Sequence, residues 1–276
     1  MKKQTSRLRA LLKAGPTLFV PGCFNAMSAR VLENVGFPAV YMSGYGTSLS
    51  LTGLPDAGLV TMTEVITNAR YIAQAVNVPV IADADNGYGN AINVIRSVQL
   101  YEQAGVAGFH LEDQVTPKKC GHMEHKQVVS RSEAVAKIRA AVAARQNPDT
   151  VIIGRTDARA VEGVDAAVDR ARAFHDAGAD VLFVEALRGR PLLFNWAEGG
   201  KTPPLPIKRI RELGFAIVIC PIAGLLSATA AMRATYASIR QAGTPVGVVD
   251  QLLPFGDFTT FVGLPEIDAL EQRFAD

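Results

Sequence analysis

Short apolar runs alternate with amphipathic stretches along almost the whole chain. The runs cover residues 18–21, 39–43, 78–83, 108–112, 151–155, 181–185, 192–195 and 217–220. Each is apolar enough to be buried on both faces, as the strands of a parallel sheet must be. Between them apolar positions recur at helical spacing, over 63–76, 132–144 and 165–177 for example. The last of these opens at Gly163-Val164-Asp165 and stops at Gly178, a glycine placed as a helix end requires. Eight strand-then-helix units predict an α/β fold of the (β/α)8 TIM-barrel type. A doubly wound sheet would use fewer strands and a Gly-rich, phosphate-cradling first turn. The first turn here, Pro21-Gly22-Cys23-Phe24-Asn25, is not one.

Two places break the rhythm. Strand six ends near Ala186 and strand seven begins near Leu192, whereas a parallel crossover with its helix takes about ten to twelve residues or more. The sixth barrel helix is therefore predicted to be missing, leaving a flank exposed. An amphipathic helix over 223–241 is followed by a tail, 244–276, whose Pro254-Phe255, Phe258, Phe261 and Leu264-Pro265 require an apolar surface to cover them. The chain reads as one domain, 1–276, with the barrel and last helix in 1–243 and the extension packing on the barrel or on a neighbouring subunit.

Composition narrows the function class. The 276 residues are 49% hydrophobic and 20% charged, as in a soluble enzyme and unlike a disordered chain. A formal charge of +2, with no basic stripe interleaved with aromatics, argues against a nucleic-acid partner. The N-terminus is basic but no apolar signal core follows it; residues 8–14 read as a short amphipathic helix. No apolar run reaches membrane-span length. Cysteines at 23, 120 and 220 match neither a disulfide framework nor a zinc spacing, and the expected compartment is the reduced cytoplasm.

Polar residues gather where a barrel places chemistry. Tyr41 and Ser43, Asp83 and Asp85, Glu112, Arg155 and Asp157, Glu185 and Asn195 stand at the C-terminal ends of strands, which converge on one mouth. Asp83 and Asp85, with Glu112 ending the next strand, suit a hard cation held partly through water; the alternative is an Asp-rich turn capping the next helix. Residues 114–131 are long for a barrel loop and rich in Lys and His, as lids are. Within them Cys120 lies between Lys118-Lys119 and Gly121-His122. Neighbouring cations lower a thiol's pKa, so this Cys suits a proton shuttle, the alternative being an incidental thiol on a charged loop. Arg155 suits a bidentate carboxylate contact, a salt bridge to Asp157 or Glu185, or both. Ser43-Gly44-Tyr45-Gly46 offers backbone N–H groups to an anion. Cys23 and Cys220 read as buried structural thiols, His110 as a wall residue of a strand, and His175 as a helix-surface residue.

The chain also resembles the isocitrate lyase/phosphoenolpyruvate mutase superfamily over nearly its whole length. The stretches that carry the likeness are Tyr41-Met42-Ser43-Gly44, Gly53-Leu54-Pro55-Asp56, Asp83-Ala84-Asp85-Asn86-Gly87-Tyr88-Gly89 and His110-Leu111-Glu112-Asp113-Gln114. Lys118-Lys119-Cys120-Gly121-His122, Gly154-Arg155-Thr156-Asp157-Ala158 and Glu198-Gly199-Gly200-Lys201-Thr202-Pro203 complete them. Within the superfamily the likeness is to the 2,3-dimethylmalate lyase, petal death protein and methylisocitrate lyase group.

That resemblance implies a barrel, a Mg²⁺ ion with Mn²⁺ as a substitute, and a last helix swapped between subunits of a homotetramer. It implies Asp83, Asp85 and Glu112 on the metal, with Asp56 assisting. Ser43, Gly44 and Tyr45 would bind a keto-acid carboxylate beside Arg155. Asn195 and Thr202, with Gly121 and His122 of the loop, would bind the second carboxylate. Tyr41, Glu185 and Lys118 join Cys120 and His122 as the catalytic set. The implied reaction is cleavage of a small 2-hydroxy diacid, of 2-alkylmalate or methylisocitrate type, through a metal-bound enolate. Cys120 would protonate the departing carbanion. An oxaloacetate decarboxylase or hydrolase, or a carboxyphosphonoenolpyruvate-type mutase, is the alternative on the same scaffold. The chain departs from the superfamily pattern after Glu185, where it is short, and at Phe194-Asn195-Trp196. Bulk there either narrows the pocket or repacks the flank left by the missing helix.

Overall fold

The computed structural model describes residues 2–15, 17–121, 123, 125–184, 191–200 and 205–274. Among them eight parallel strands close into a barrel in sequence order. They are β1 (Leu18–Cys23), β2 (Val40–Met42), β3 (Val80–Asp83), β4 (Gly108–Glu112), β5 (Val151–Arg155), β6 (Val181–Phe183), β7 (Leu192–Asn195) and β8 (Phe215–Cys220). The helices are α1 (Lys2–Lys13), α2 (Ala26–Val35), α3 (Gly44–Thr52), α4 (Met62–Ala75), α5 (Ala91–Ala104), α6 (Arg131–Ala144), α7 (Val164–Asp176), α8 (Ile207–Glu212), α9 (Ala223–Ala242), α10 (Phe255–Phe261) and α11 (Leu264–Phe274).

Alternation along each strand builds two apolar layers. Val20, Tyr41, Ile81, Val151, Ile153, Val181, Leu193, Ile217 and Ile219 form the interior cluster. The opposite faces, with Val40, Val80, Phe109 and Ile152, pack on the surrounding helices through residues such as Ile72, Val98, Ile138 and Phe174. Helix starts follow their sequence signals: Thr61 and Glu64 make a reciprocal capping box on α4, and Asn90 and Asn93 do so on α5.

Helix α1 closes the N-terminal end of the barrel. Leu8 is fully buried in the interior cluster, with Leu11 and Leu12 against it. Arg9 pairs with Asp180 at 2.7 Å and donates to the Thr150 and Asp149 carbonyls, all in turns leading into strands. Burying a leucine of this kind contributes about 1.5–3 kcal/mol.

Eight residues, 184–191, separate β6 from β7, and 185–190 among them, where the sixth helix is expected to be missing, lie outside the described residues. The two strands share one register pair, Leu182 with Leu192. The bulk of strand seven faces outward: Phe194 packs edge-to-face on Phe215 at 5.2 Å, in a small outer cluster with Ile210, Val218 and Trp196. The bulk of Phe194 thus packs on β8 and α8, and alternation turns Asn195 to the other side.

The chain divides into two compact units, residues 1–225 and 226–276. In the second, α10 and α11 pack on each other, while Leu226, Met232, Tyr236, Leu253, Phe255 and Phe274 are exposed. No described helix is long and apolar enough to cross a membrane.

Candidate active site

The C-terminal ends of the strands and the segment after β4 enclose a cavity of about 180 Å³, lined among others by Tyr41, Ser43, Asp83, Glu112, Lys118, Cys120, Arg155 and Asn195. On the β2 side, Ser43 caps α3 by accepting the Gly46 amide at 3.1 Å. The amides of Gly44 and Tyr45, the first two of the helix, have no intrahelical partner and lie at its positive end. Gly44 has to be glycine, because a Cβ there would sit 2.4 Å from Asp83 Oδ2.

Three carboxylates follow around the mouth. Burial raises the Asp83 carboxyl, but His110, Lys118, Arg155 and the Asp85 amide outweigh it and hold it at about 2. Asp85, at φ 46°, is raised to about 6 by burial, and by Asp83 and Asp56 against the opposing Lys118. Burial likewise carries Glu112 well above its ordinary range. Lys118, 5% exposed, reaches Asp56 Oδ2 at 2.7 Å and Asp85 Oδ1 at 2.6 Å. The second contact is a short ion pair. Burial would lower the lysine, yet the surrounding carboxylates push it well above its usual range.

Arg155 closes the other half of the ring. Its Nη1 lies 3.0 Å from Glu112 Oε2, its Nε 3.1 Å from Asp157 Oδ2, and its guanidinium carbon 4.9 Å above the Phe183 ring. Both salt-bridge and substrate-facing readings of Arg155 are therefore open to it geometrically, since it also lines the cavity.

The donor set fits a divalent cation. Five carboxylates (Asp56, Asp83, Asp85, Glu112 and Asp157) share this network with three cations, Lys118, Arg155 and Lys126. Written as ionised, the carboxylates outnumber the cations by two, an excess that burial opposes by raising Glu112 and Asp85 and that a bound cation would offset. Glu112 Oε1 is buried without a hydrogen-bond donor, as a ligand oxygen of a hard cation would be, while Asp85 Oδ1 has the Lys118 ammonium against it. Among the described residues no three metal-ligating side chains are drawn together tightly; Lys118 stands between Asp56 and Asp85.

Behind Asp83 lies a residue that sequence reasoning left in the wall. His110 is fully buried, stacked on Tyr41, with Nε2 2.8 Å from the Tyr41 hydroxyl and 3.5 Å from Asp83 Oδ1. Burial lowers its pKa to about 4, so the ring is neutral. Its Nδ1 has no partner; a bare lone pair there costs less than a bare N–H, which assigns the proton to Nε2. Nε2–H then donates to Tyr41, and the Tyr41 hydroxyl donates to Asp83 Oδ2 at 3.4 Å. Burial and Asp83 keep that phenol protonated by raising it far above 10.

The segment after β4 folds over the mouth and is tied down at its base. The Gln114 side chain donates to the Lys119 carbonyl at 2.8 Å and accepts the Lys119 amide at 3.0 Å. Gln114 also pairs with Val128 in an antiparallel bridge, and the Cys120 amide donates to the Asp56 carbonyl. Lys126, missed in the sequence among its cationic neighbours, donates to the Gly121 carbonyl at 2.6 Å and to Asp157 at 2.8 Å. Asn195 lines the cavity with its Oδ1 buried and unpartnered. Glu198 instead caps α9, accepting the Ile222 and Ala223 amides. Cys23 is a buried thiol raised to about 12 by burial, and Cys220 is half-buried and raised to about 11 by burial and Glu198. His175 is half-buried on α7. His122, Glu185 and Thr202 lie outside the described residues.

A closed eight-stranded barrel with acidic strand ends beneath a cysteine-bearing loop defines an enzyme of the phosphoenolpyruvate mutase/isocitrate lyase superfamily. The chain belongs to this family, matching the model described as phosphoenolpyruvate phosphomutase over residues 8–240. It is 45% identical to the 2,3-dimethylmalate lyase of Eubacterium barkeri, with 98% of each chain covered. Its structure is similar to that of an oxaloacetate acetylhydrolase bound to 3,3-difluorooxalacetate (TM-score 0.91, 37% identity, 98% and 97% of the chains). It is also similar to that of a phosphonopyruvate hydrolase in complex with oxalate and Mg²⁺ (TM-score 0.90, 30% identity, 98% and 99%).

Proposed function

We propose that this protein is a Mg²⁺-dependent carbon–carbon lyase that cleaves a small 2-hydroxy diacid, of 2-alkylmalate or methylisocitrate type, to an α-keto acid and a second carboxylate. The observation that carries the reading is Cys120 on a loop seated over a surplus of buried carboxylates, in a cavity too small for more than a compact molecule. Likeness to a 2,3-dimethylmalate lyase supports the substrate class.

Asp83, Asp85 and Glu112 would hold Mg²⁺, directly or through water, with Asp56 assisting by way of Lys118. The bound ion supplies Lewis acidity that stabilises developing negative charge on oxygen. The Gly44 and Tyr45 amides and Ser43, at the start of α3, bind the keto-acid carboxylate, and Arg155 orients it. Asn195 would donate from Nδ2 to the second carboxylate, with Gly121, His122 and Thr202. Glu185 would take the hydroxyl proton, and Tyr41, a protonated phenol held by His110 and Asp83, would act as a proton donor in that exchange. Lys118 fixes the acidic ring, and Cys120 delivers a proton to the departing carbanion. The protein works in the cytoplasm as a homotetramer with both units acting as one domain, its exposed C-terminal helices exchanged between copies.

An assay with Mg²⁺ of 2,3-dimethylmalate and other alkylmalates, methylisocitrate, oxaloacetate and phosphonopyruvate tests the reading. Cys120→Ser should lower diacid cleavage by orders of magnitude with Mg²⁺ binding intact; full retention of cleavage would refute it. A second reading, oxaloacetate hydrolysis or decarboxylation, is favoured by the structural likeness to an oxaloacetate acetylhydrolase, and the same panel decides it. Turnover of phosphonopyruvate alone would favour phosphorus chemistry.

A further inference from the structure

Lys126 belongs to the loop's return limb, five residues beyond Gly121, yet its side chain is only 8% exposed. Its ammonium bridges two parts of the molecule: the Gly121 carbonyl on the loop at 2.6 Å, and Asp157 Oδ1 on the barrel at 2.8 Å. Asp157 is equally buried and serves more than this contact. Its Oδ2 holds Arg155 Nε at 3.1 Å and receives Gln114 Nε2 at 3.3 Å, while its own amide is fixed by Asp113 Oδ1 at 2.9 Å. Asp113 is in turn anchored by Arg170 and Thr156. One carboxylate thus joins the loop to the arginine of the mouth, against a rigid base.

The loop backbone also touches that arginine. A Cβ on Gly121 would fall 2.7 Å from Arg155 Nη2, so loop and guanidinium are packed face to face. When the loop lifts, Asp157 loses Lys126, Arg155 loses the backbone beside Nη2, and Asp157 is left to Arg155 and Gln114. The position of Arg155 and the seating of the loop cannot change independently.

We propose that Lys126 is a positioning residue: it latches the Cys120-bearing loop to Asp157 and, through Asp157, sets the orientation of Arg155. The proposal deepens the lyase reading and rests on it only for the catalytic consequence. The latch itself is read on the loop without turnover. A buried charge-assisted contact of this kind contributes enough that its loss shifts a local equilibrium about tenfold or more.

The test is the rate at which Cys120 is alkylated by iodoacetamide, followed by mass spectrometry of the peptide that contains it. Lys126→Met should raise that rate about tenfold or more, and Lys126→Arg, which keeps a cation able to span the gap, should return it toward wild type. With substrate, Lys126→Met should lower kcat and raise KM together, because the loosened loop misplaces Cys120 for proton delivery and Arg155 for holding the carboxylate, and Lys126→Arg should restore both. Lys126→Gln serves as a second neutral variant should Lys126→Met fold poorly. An alkylation rate unchanged in a folded neutral variant would overturn the proposal. Faster alkylation in a protein inactive on every diacid would sustain the latch and remove only the lyase reading.

Discussion

Gly44→Ala isolates the packing of α3 against the acidic ring. Two effects of opposite sign compete. Replacing a helical glycine by alanine stabilises by about 0.5–1 kcal/mol through backbone entropy, and no positive φ at Gly44 opposes it. The added Cβ, however, would lie 2.4 Å from Asp83 Oδ2 and 2.7 Å from its Cγ. Ordinary non-bonded approach is about 3.5 Å, so the carboxylate or the helix start must yield by roughly 1 Å. Asp83 has little room, being 5% exposed with Oδ1 on the Asp85 amide and Oδ2 beneath Tyr41. Overpacking of this kind costs about 1–3 kcal/mol, which outweighs the entropic gain. Misplacing a group by 1 Å costs on the order of 10²-fold in rate. The expected outcome is a slightly lowered melting temperature, Mg²⁺ affinity reduced about ten- to a hundredfold by calorimetry, and turnover reduced about 10²-fold. Mg²⁺ affinity within twofold of wild type, with unchanged turnover, would refute the steric argument and the assignment of Asp83 to the metal.

Other consequences follow from the same packing and charges. Arg170→Met strips a buried partner from Asp113 and should cost about 3–5 kcal/mol, seen as a lowered urea midpoint; loss under 1 kcal/mol would show that Asp113 is held by its other bonds. Leu8→Ala opens the closed end of the barrel and should destabilise by about 2–5 kcal/mol, whereas a neutral result would mean α1 is not part of the cooperative core. His110, lowered to about 4 by burial, binds a proton less readily in the fold than in the unfolded chain. Its contribution is complete above pH ~6.5 and is lost as pH falls toward 4, up to about 3 kcal/mol. Asp85, raised to about 6, acts oppositely over part of that window, so the comparison is wild type against His110→Asn: their stability difference should change between pH 6.5 and 4, and a constant difference would contradict it. Cys23, buried and raised to about 12, should resist alkylation until the protein is denatured.

The barrel was legible because its signal is redundant. The runs at 108–112 and 151–155 coincide with β4 and β5, where a charged residue ends an unbroken apolar stretch. The run at 39–43 overshoots β2 because Ser43 is spent on capping α3, a use that the local pattern does not separate from strand. Asp83, Glu112 and Arg155 were legible for the same reason, each ending a strand. Loop chemistry was not. Burial of Lys118 between Asp56 and Asp85 joins residues 62 positions apart in sequence, and nothing periodic marks it. Lys126 was one cation in a cationic stretch, and His110 was hidden by the apolar strand around it.

Helix α1 backs the barrel from the end opposite the mouth. With Leu8 filling the interior of that end, the lyase reading sends both fragments out on the Cys120 side. It expects the fragment nearer the loop to depart first and the one nearer Asp83 last. Under the lyase reading, release is ordered: the keto acid should inhibit competitively against the diacid and the second acid non-competitively. Traffic, as well as chemistry, is then set by twelve residues that touch no substrate.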